Sequence, residues 1–176
     1  RGVLLASMVG GKSAHSPRST KNLYVKVNKK ERVLARKSAI SSTAVRELVN
    51  LRGHSVPDEL SLPVVVDKSV EGIKKTRDAL NFLKTLGIEG EVERVKEGKK
   101  VRAGRGKMRG RRYKQPKGIL LVEGKDQDLS AFRGLPGVEV SKVSALSIIK
   151  LAPGGNPGRL TIFTRSAIES IEEVKR

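Results

Sequence analysis

Apolar residues along the chain gather into a few short runs, separated by stretches with helical spacing. Leu62-Pro63-Val64-Val65-Val66 and Gly118-Ile119-Leu120-Leu121-Val122 are continuous runs of strand length, the pattern of strands buried on both faces of a parallel sheet. Val138-Glu139-Val140 and Arg159-Leu160-Thr161-Ile162-Phe163-Thr164 supply two further strands, and Glu91-Val92-Glu93-Arg94-Val95 reads as an edge strand. Between the first two runs Val70, Ile73, Leu80, Leu83 and Leu86 recur near the helical spacing. They predict one long helix from Ser69 to Leu86, closed by Gly87. Upstream, Asn28 followed three residues later by Glu31 is written like a capping box, and Val33, Leu34, Ala35 and Ile40 follow it. A helix over Lys29–Thr43 and a second over Ala44–Arg52, stopped by Gly53, are expected. Short helical segments near Asp128–Arg133 and Ser144–Leu151 and a terminal helix over Arg165–Lys175 complete the pattern. Strands alternating with helices in this way predict an α/β fold, a mostly parallel sheet with helices on both faces.

Residues 1–27 lack that patterning. They mix Gly, Ser, Pro, Lys and Arg and read as an extended basic arm ahead of an α/β domain over residues 28–176. Inside the domain, residues 99–117 interrupt the apolar pattern with a second polar stretch, KKVRAGRGKMRGRRYKQPK.

Charge sharpens the division. The chain has 176 residues, with 37 Lys and Arg against 18 Asp and Glu, a net charge of +19. Residues 1–37 carry ten of the basic residues and one acid, Glu31, and residues 99–117 carry ten basic residues and no acid. Everything else holds 17 of each sign and is neutral. A solubilising surface would spread its charge and mix the signs. A neutral body with two concentrated cationic segments is the footprint of a nucleic-acid binder, because like charges packed this densely need a polyanion to neutralise them. In the second segment arginines, whose planar fork bonds phosphate bidentately, alternate with glycines that let the backbone approach a surface. The chain has no cysteine, which leaves no disulfide framework or thiolate metal site and fits a reducing compartment. No apolar run approaches the ~20 residues of a membrane span, so no membrane partner is expected.

Other chemistry fails its context test. Gly104, Gly106 and Gly110 resemble a dinucleotide fingerprint, but lie inside an arginine run with no helical pattern behind them. Gly11-Lys12-Ser13 resembles the end of a phosphate-binding loop, yet Ala6 stands where the first glycine is required and Pro17 follows where a helix should run. His15 and His54 lie far apart without a partner ligand, against a metal site. His54 is read as covering a helix end, and His15 as either a nucleotide contact or merely exposed. Glu91, Glu93 and Glu97 are read as solvated counter-charges. With two tyrosines, three phenylalanines and no tryptophan, a reader of single strands through aromatic platforms is disfavoured. Recognition should rest on phosphate, ribose and shape.

Three ordered blocks carry a family resemblance. RAGRGKMRGRRYKQPKGILLV, AFRGLPGVEV and LAPGGNPGRLTIFT resemble the large-subunit ribosomal protein L4 family in its archaeal and eukaryotic form, and VGGKSAHSP followed by NKKERVLARKSAISSTA is similar to it as well. The resemblance implies a non-enzymatic α/β domain seated on large-subunit rRNA, in a cytoplasmic ribosome, with a long loop lining the polypeptide exit tunnel. Residues 1–18 would be the returning limb of that loop, and the family's first strand and outgoing limb have no counterpart in the sequence. By position, Lys12, Ser13, His15 and Arg18 should run along rRNA. Arg102, Arg105, Lys107, Arg109, Arg111, Arg112, Tyr113 and Lys114 should form a second rRNA surface, and Arg36 and Lys37 should join either. Neighbouring large-subunit proteins are the other expected partners, and no homo-oligomer is expected. No cofactor is expected beyond Mg2+ ions that accompany rRNA. The alternatives from other classes are a nucleic-acid-processing enzyme with a site at the strand ends, and a free regulatory RNA-binding protein.

Overall fold

The computed structural model of the chain describes residues 5–124 and 128–174. In chain order the first half holds α1 (Lys29–Ser41), α2 (Arg46–Leu51), β1 (Val64–Val66), α3 (Thr76–Thr85) and α4 (Glu89–Glu97). A hairpin of β2 (Lys100–Val101) and β3 (Tyr113–Lys114) follows. The second half holds β4 (Leu120–Glu123), β5 (Glu139–Lys142), α5 (Ile148–Leu151), β6 (Thr161–Thr164) and α6 (Arg165–Val174), with short 3₁₀ turns between.

Strands β1, β6, β4 and β5 lie side by side in that order, all parallel. Leu121 is level with Ile162, and Ile162 with Val64, so one face of the sheet is aligned across three strands. The period of two sorts the side chains. Ile119, Leu121, Leu160, Ile162, Val64 and Val66 form one core with Ala79 and Leu83 of α3, Val92 of α4 and Phe132. Leu120, Val122 and Phe163 point the other way, onto Ala39 of α1, Leu146, Leu151 and Ala167 of α6. Helices therefore cover both faces, as the alternating pattern predicts, and β4 at the centre is buried at all four positions.

Helix ends follow the sequence closely. After α2 the N–H of Gly53 donates to Asn50 and that of His54 to Val49. After α3 the N–H of Gly87 donates to Lys84 and that of Ile88 to Leu83. Both are the paired closing bonds that satisfy a helix's last carbonyls. At the start of α1 neither bond of the capping box is made: Asn28 Nδ2 instead donates to Glu31 Oε1 at 3.4 Å, and no side chain caps the backbone.

Three expectations need correction. The long helix over 69–86 is two pieces, a 3₁₀ turn at Lys68–Gly72 and α3. Ile73 and Lys75 are extended between them. Gly72 weakens a continuous helix by about 1 kcal/mol relative to alanine, and straightening there lets Ile73 pack on the core. Glu91–Val95 is not an edge strand but lies within α4. Ile88, Val92 and Val95 stand four and three apart and are all buried, so helical spacing wins over the apparent alternation. Finally, β1 is an edge strand rather than a fully buried one: Val64 and Val66 face the core while Val65 is 51% exposed.

Candidate nucleic-acid interface

The basic stretch 99–117 is a built hairpin. Lys100 lies opposite Lys114 and Val101 opposite Tyr113 in the β2–β3 ladder. The Arg102 N–H donates to the Arg112 carbonyl at 2.8 Å, and Arg102 Nε donates to the Arg111 carbonyl at 3.2 Å. A 3₁₀ turn over Arg105–Met108 forms the tip, where the Gly106 carbonyl accepts from the N–H of both Arg109 and Arg111 at 3.1 Å. Gly104 enters the turn at φ 80°, ψ −178°, a region essentially closed to other residues. At the neck, Gly98 backs onto Pro116 so closely that a Cβ would come within 2.6 Å of its ring.

This frame leaves the charges outward. Arg105, Lys107, Arg109, Arg111, Arg112 and Lys114 are all exposed, and among the described residues none of them forms an ion pair. Arg102 is also exposed, but its guanidinium is partly engaged by the hairpin's own carbonyls. Tyr113 is flanked by cations, with Lys99 Nζ at 4.9 Å and Arg112 Cζ at 5.9 Å from the ring centre. The arrangement attracts the ring to both cations.

Residues 5–28 make turns but no helix or strand, and all are exposed except half-buried Gly11. The structure brings His15 and Arg18 together around a hollow of about 400 Å³, lined also by Ala14, Ser16, Pro17, Thr20 and Lys21. Lys12 and Ser13 lie exposed just before it. Arg36 and Lys37 are elsewhere, on α1 beside an apolar groove.

The body's own cations are spent differently, and the sequence hides this. Arg159 is fully buried. Its Nε donates to the Gly118 carbonyl at 2.8 Å, and its Nη1 donates to the Lys150 carbonyl and to Glu139 Oε2, each at 2.7 Å. Arg52 donates to the carbonyls of Pro153 (2.9 Å) and Asn156, and Arg46 to those of Pro57 (3.0 Å), Asp58 (3.1 Å) and Leu60. Burial, and then the nearby Arg159 charge, lower the Arg52 pKa. Glu91 is not a solvated counter-charge but completely buried, and His54 is buried with it. His54 Nδ1 lies 2.7 Å from Glu91 Oε1. Glu91 Oε2 accepts from the Ser55 N–H at 3.0 Å and Arg94 Nε at 2.8 Å. Burial alone would push the Glu91 carboxyl up; the bonds from Arg94, His54 and Ser55 overcome it and hold the group below its ordinary value. Arg46, Arg52, Arg94 and Arg159 thus bond carbonyls and acids of the chain itself, while among the described residues no cation of the hairpin tip pairs with an acid.

A family model described as the Ribosomal protein L4/L1 family matches residues 5–174. The chain belongs to that family. It is 60% identical over 174 residues to the large ribosomal subunit protein uL4 of Thermoplasma acidophilum, covering 99% of this chain and 68% of the relative. The protein of the same name from Methanocaldococcus jannaschii is 51% identical over 166 residues, covering 94% of this chain and 66% of the relative. That from Archaeoglobus fulgidus is 47% identical over 174 residues, covering 98% and 68%. The chain therefore spans about two thirds of the length of these relatives. Membership also places it with a structural class of protein and not with enzymes, which closes the enzyme alternative.

Proposed function

We propose that the chain is a structural component of the large subunit of a cytoplasmic ribosome, bound to rRNA through two limbs. One is the exposed arm carrying Lys12, Ser13, His15 and Arg18. The other is the hairpin carrying Arg102, Arg105, Lys107, Arg109, Arg111, Arg112, Tyr113 and Lys114. The relatives' shared name supports the ribosomal setting. The observation that carries the RNA contact is the hairpin itself: a backbone closed by its own hydrogen bonds, with the cations at its tip facing outward and not paired to any acid among the described residues. Phosphates supply the missing anions, and each one neutralised releases counterions. On the same reading the arm runs toward the wall of the polypeptide exit tunnel, as the resemblance in residues 1–18 implies, and neighbouring large-subunit proteins complete its surroundings. On this reading any Mg2+ at these limbs accompanies the RNA.

The test is binding of a large-subunit rRNA fragment across a salt series. Replacing Arg105, Arg109, Arg111 and Arg112 together by glutamine should weaken binding and flatten its salt dependence, by about 0.7–0.9 in log–log slope for each phosphate no longer neutralised. Unchanged affinity and slope would remove the hairpin from the interface.

A further inference from the structure

Residues 99–115 are exposed apart from half-buried Gly106, so the basic hairpin sends no side chain of its own into the core. A lone two-stranded ribbon is marginal in water, and the direction of this one is set where it joins the domain. The outgoing limb leaves α4 through Gly98, whose N–H donates to the Arg94 carbonyl at 3.0 Å. The returning limb enters β4 through residues 116–118. There the Gly118 N–H donates to the Gly137 carbonyl at 3.1 Å, and the Gly118 carbonyl accepts from Arg159 Nε at 2.8 Å.

Lys117 is held from two sides. Its ammonium donates to Glu139 Oε1, and the other oxygen of Glu139 accepts from the buried Arg159 Nη1 at 2.7 Å. Its carbonyl accepts from Arg94 Nη2 at 3.4 Å, and Arg94 is itself fixed by two bonds, of 2.8 and 2.6 Å, to the fully buried Glu91. We propose that Glu139 is a positioning residue for RNA binding: by bridging Lys117 to Arg159 it fixes the angle at which the hairpin presents its cations. The inference rests on the hairpin being the RNA surface, as proposed above. Lys117 lies in the same basic segment as the tip arginines, yet its charge is already matched by a carboxylate, so a phosphate gains little by contacting it. Glu139 by its charge repels a polyanion. It favours binding by a different route, since a hairpin already held in place loses less freedom when it docks.

The sign of the effect makes this testable. Glu139→Gln removes an acid, and by charge alone should tighten RNA binding. A carboxamide, however, offers one acceptor oxygen where two cations need one each, and the buried Arg159 retains it, so Lys117 is released. The full chain is compared with Glu139→Gln, Lys117→Gln and Lys107→Gln, the last removing a charge at the tip. Backbone 15N relaxation without RNA should show residues 102–113 as ordered as α4 in the parent chain and in Lys107→Gln, and more mobile in the other two. Binding of the large-subunit rRNA fragment should weaken at least about threefold in Glu139→Gln, against the charge change. Lys117→Gln should weaken it with an unchanged salt slope, whereas Lys107→Gln should lower the log–log slope by about 0.7–0.9. Should Glu139→Gln fail to fold, Lys117→Gln, altered at a half-exposed side chain, carries the same readouts. Equal hairpin order in all four proteins would overturn the proposal, as would Glu139→Gln binding RNA as tightly as the parent or more so. Failure of the RNA reading shows separately, as RNA binding that the four-arginine variant leaves unchanged, while the amides still report whether the foot of the hairpin is fixed.

Discussion

Arg159 Nη1 and Glu139 Oε2 meet at 2.7 Å where β6 faces the start of β5 across β4, with the arginine side chain fully buried. The same guanidinium bonds the carbonyls of Gly118 and Lys150, so one side chain ties the entrances of β4 and β5 to α5. Lys117, at the foot of the basic hairpin, bonds the other oxygen of Glu139. The anchor of the sheet and the base of the hairpin thus share one carboxylate. Arg159→Met should cost about 3–5 kcal/mol of unfolding free energy, because it leaves carbonyls unbonded and Glu139 without its buried partner. Lysine cannot reproduce the fork and should recover only part. Urea unfolding of the variants measures this, and a loss under 1 kcal/mol would show that the latch is dispensable.

Acid should destabilise the domain through two carboxyls in particular. Burial acts to raise both Glu91 and Glu139, and both nevertheless sit below the ordinary value of 4.5 because of their partners: Arg94 and His54 for the first, Lys117 and Arg159 for the second. A carboxyl depressed in the folded state binds fewer protons there than in the unfolded chain. Its contribution is therefore complete above the unfolded value and is lost as pH falls through the folded one. The urea midpoint should hold at neutral pH and decline below about pH 4.5. Glu91→Gln should be less stable at pH 7 yet lose less between pH 5 and pH 3; a profile parallel to that of the parent chain would count against this account.

The sheet was legible because β1 and β4 are written as short apolar runs bounded by turn residues, and the ends of α2 and α3 because Gly53 and Gly87 follow their last apolar turn. The strand reading of Glu91–Val95 failed for want of context: only with Ile88 included do Val92 and Val95 fall on a helical stripe. The latches could not be read at all. Arg159 lies between a glycine and a leucine in a loop-to-strand passage, and beside Glu139 its partners are backbone carbonyls 41 and 9 residues away, which no side-chain pattern marks. The basic hairpin shows the opposite case. Its charge run was plain, but its order was not, since the Gly106 and Arg112 carbonyls that close it are backbone groups common to every sequence.

Tyr113 offers a finer probe of the hairpin. With cations at 4.9 and 5.9 Å from its ring, it organises Lys99 and Arg112, and the residue itself stays exposed. Tyr113→Phe keeps the ring and should leave rRNA affinity within about twofold. Tyr113→Ala removes about 1 kcal/mol of cation–ring attraction, together with any stacking, and should weaken binding about fivefold or more. Its salt slope should change little, since the same phosphates stay neutralised. Anisotropy titrations of the two variants at several salt concentrations distinguish these outcomes. Equal losses for both would assign the effect to the hydroxyl instead.

Two glycines in the Leu151–Gly158 connection differ in a way that substitution can separate. Gly154 and Gly158 both have positive φ, 77° and 83°, but a Cβ on Gly154 would meet nothing within 4 Å, whereas one on Gly158 would lie 2.5 Å from the Leu48 carbonyl oxygen. The Gly158 N–H also donates to Ser42 Oγ at 3.3 Å, so this point of close approach joins the last strand's entrance to the turn after α1. Gly154→Ala should therefore cost only the left-handed backbone penalty, about 1–2 kcal/mol. Gly158→Ala adds a backbone collision that cannot be relieved by a rotamer change, and its total should exceed that of Gly154→Ala by at least about 1 kcal/mol. Thermal unfolding of the pair reads the difference directly. If the two variants melted together, the contact between α2 and the start of β6 would be yielding rather than fixed, and the Arg52 bonds to Pro153 and Asn156 would have to be holding that connection alone.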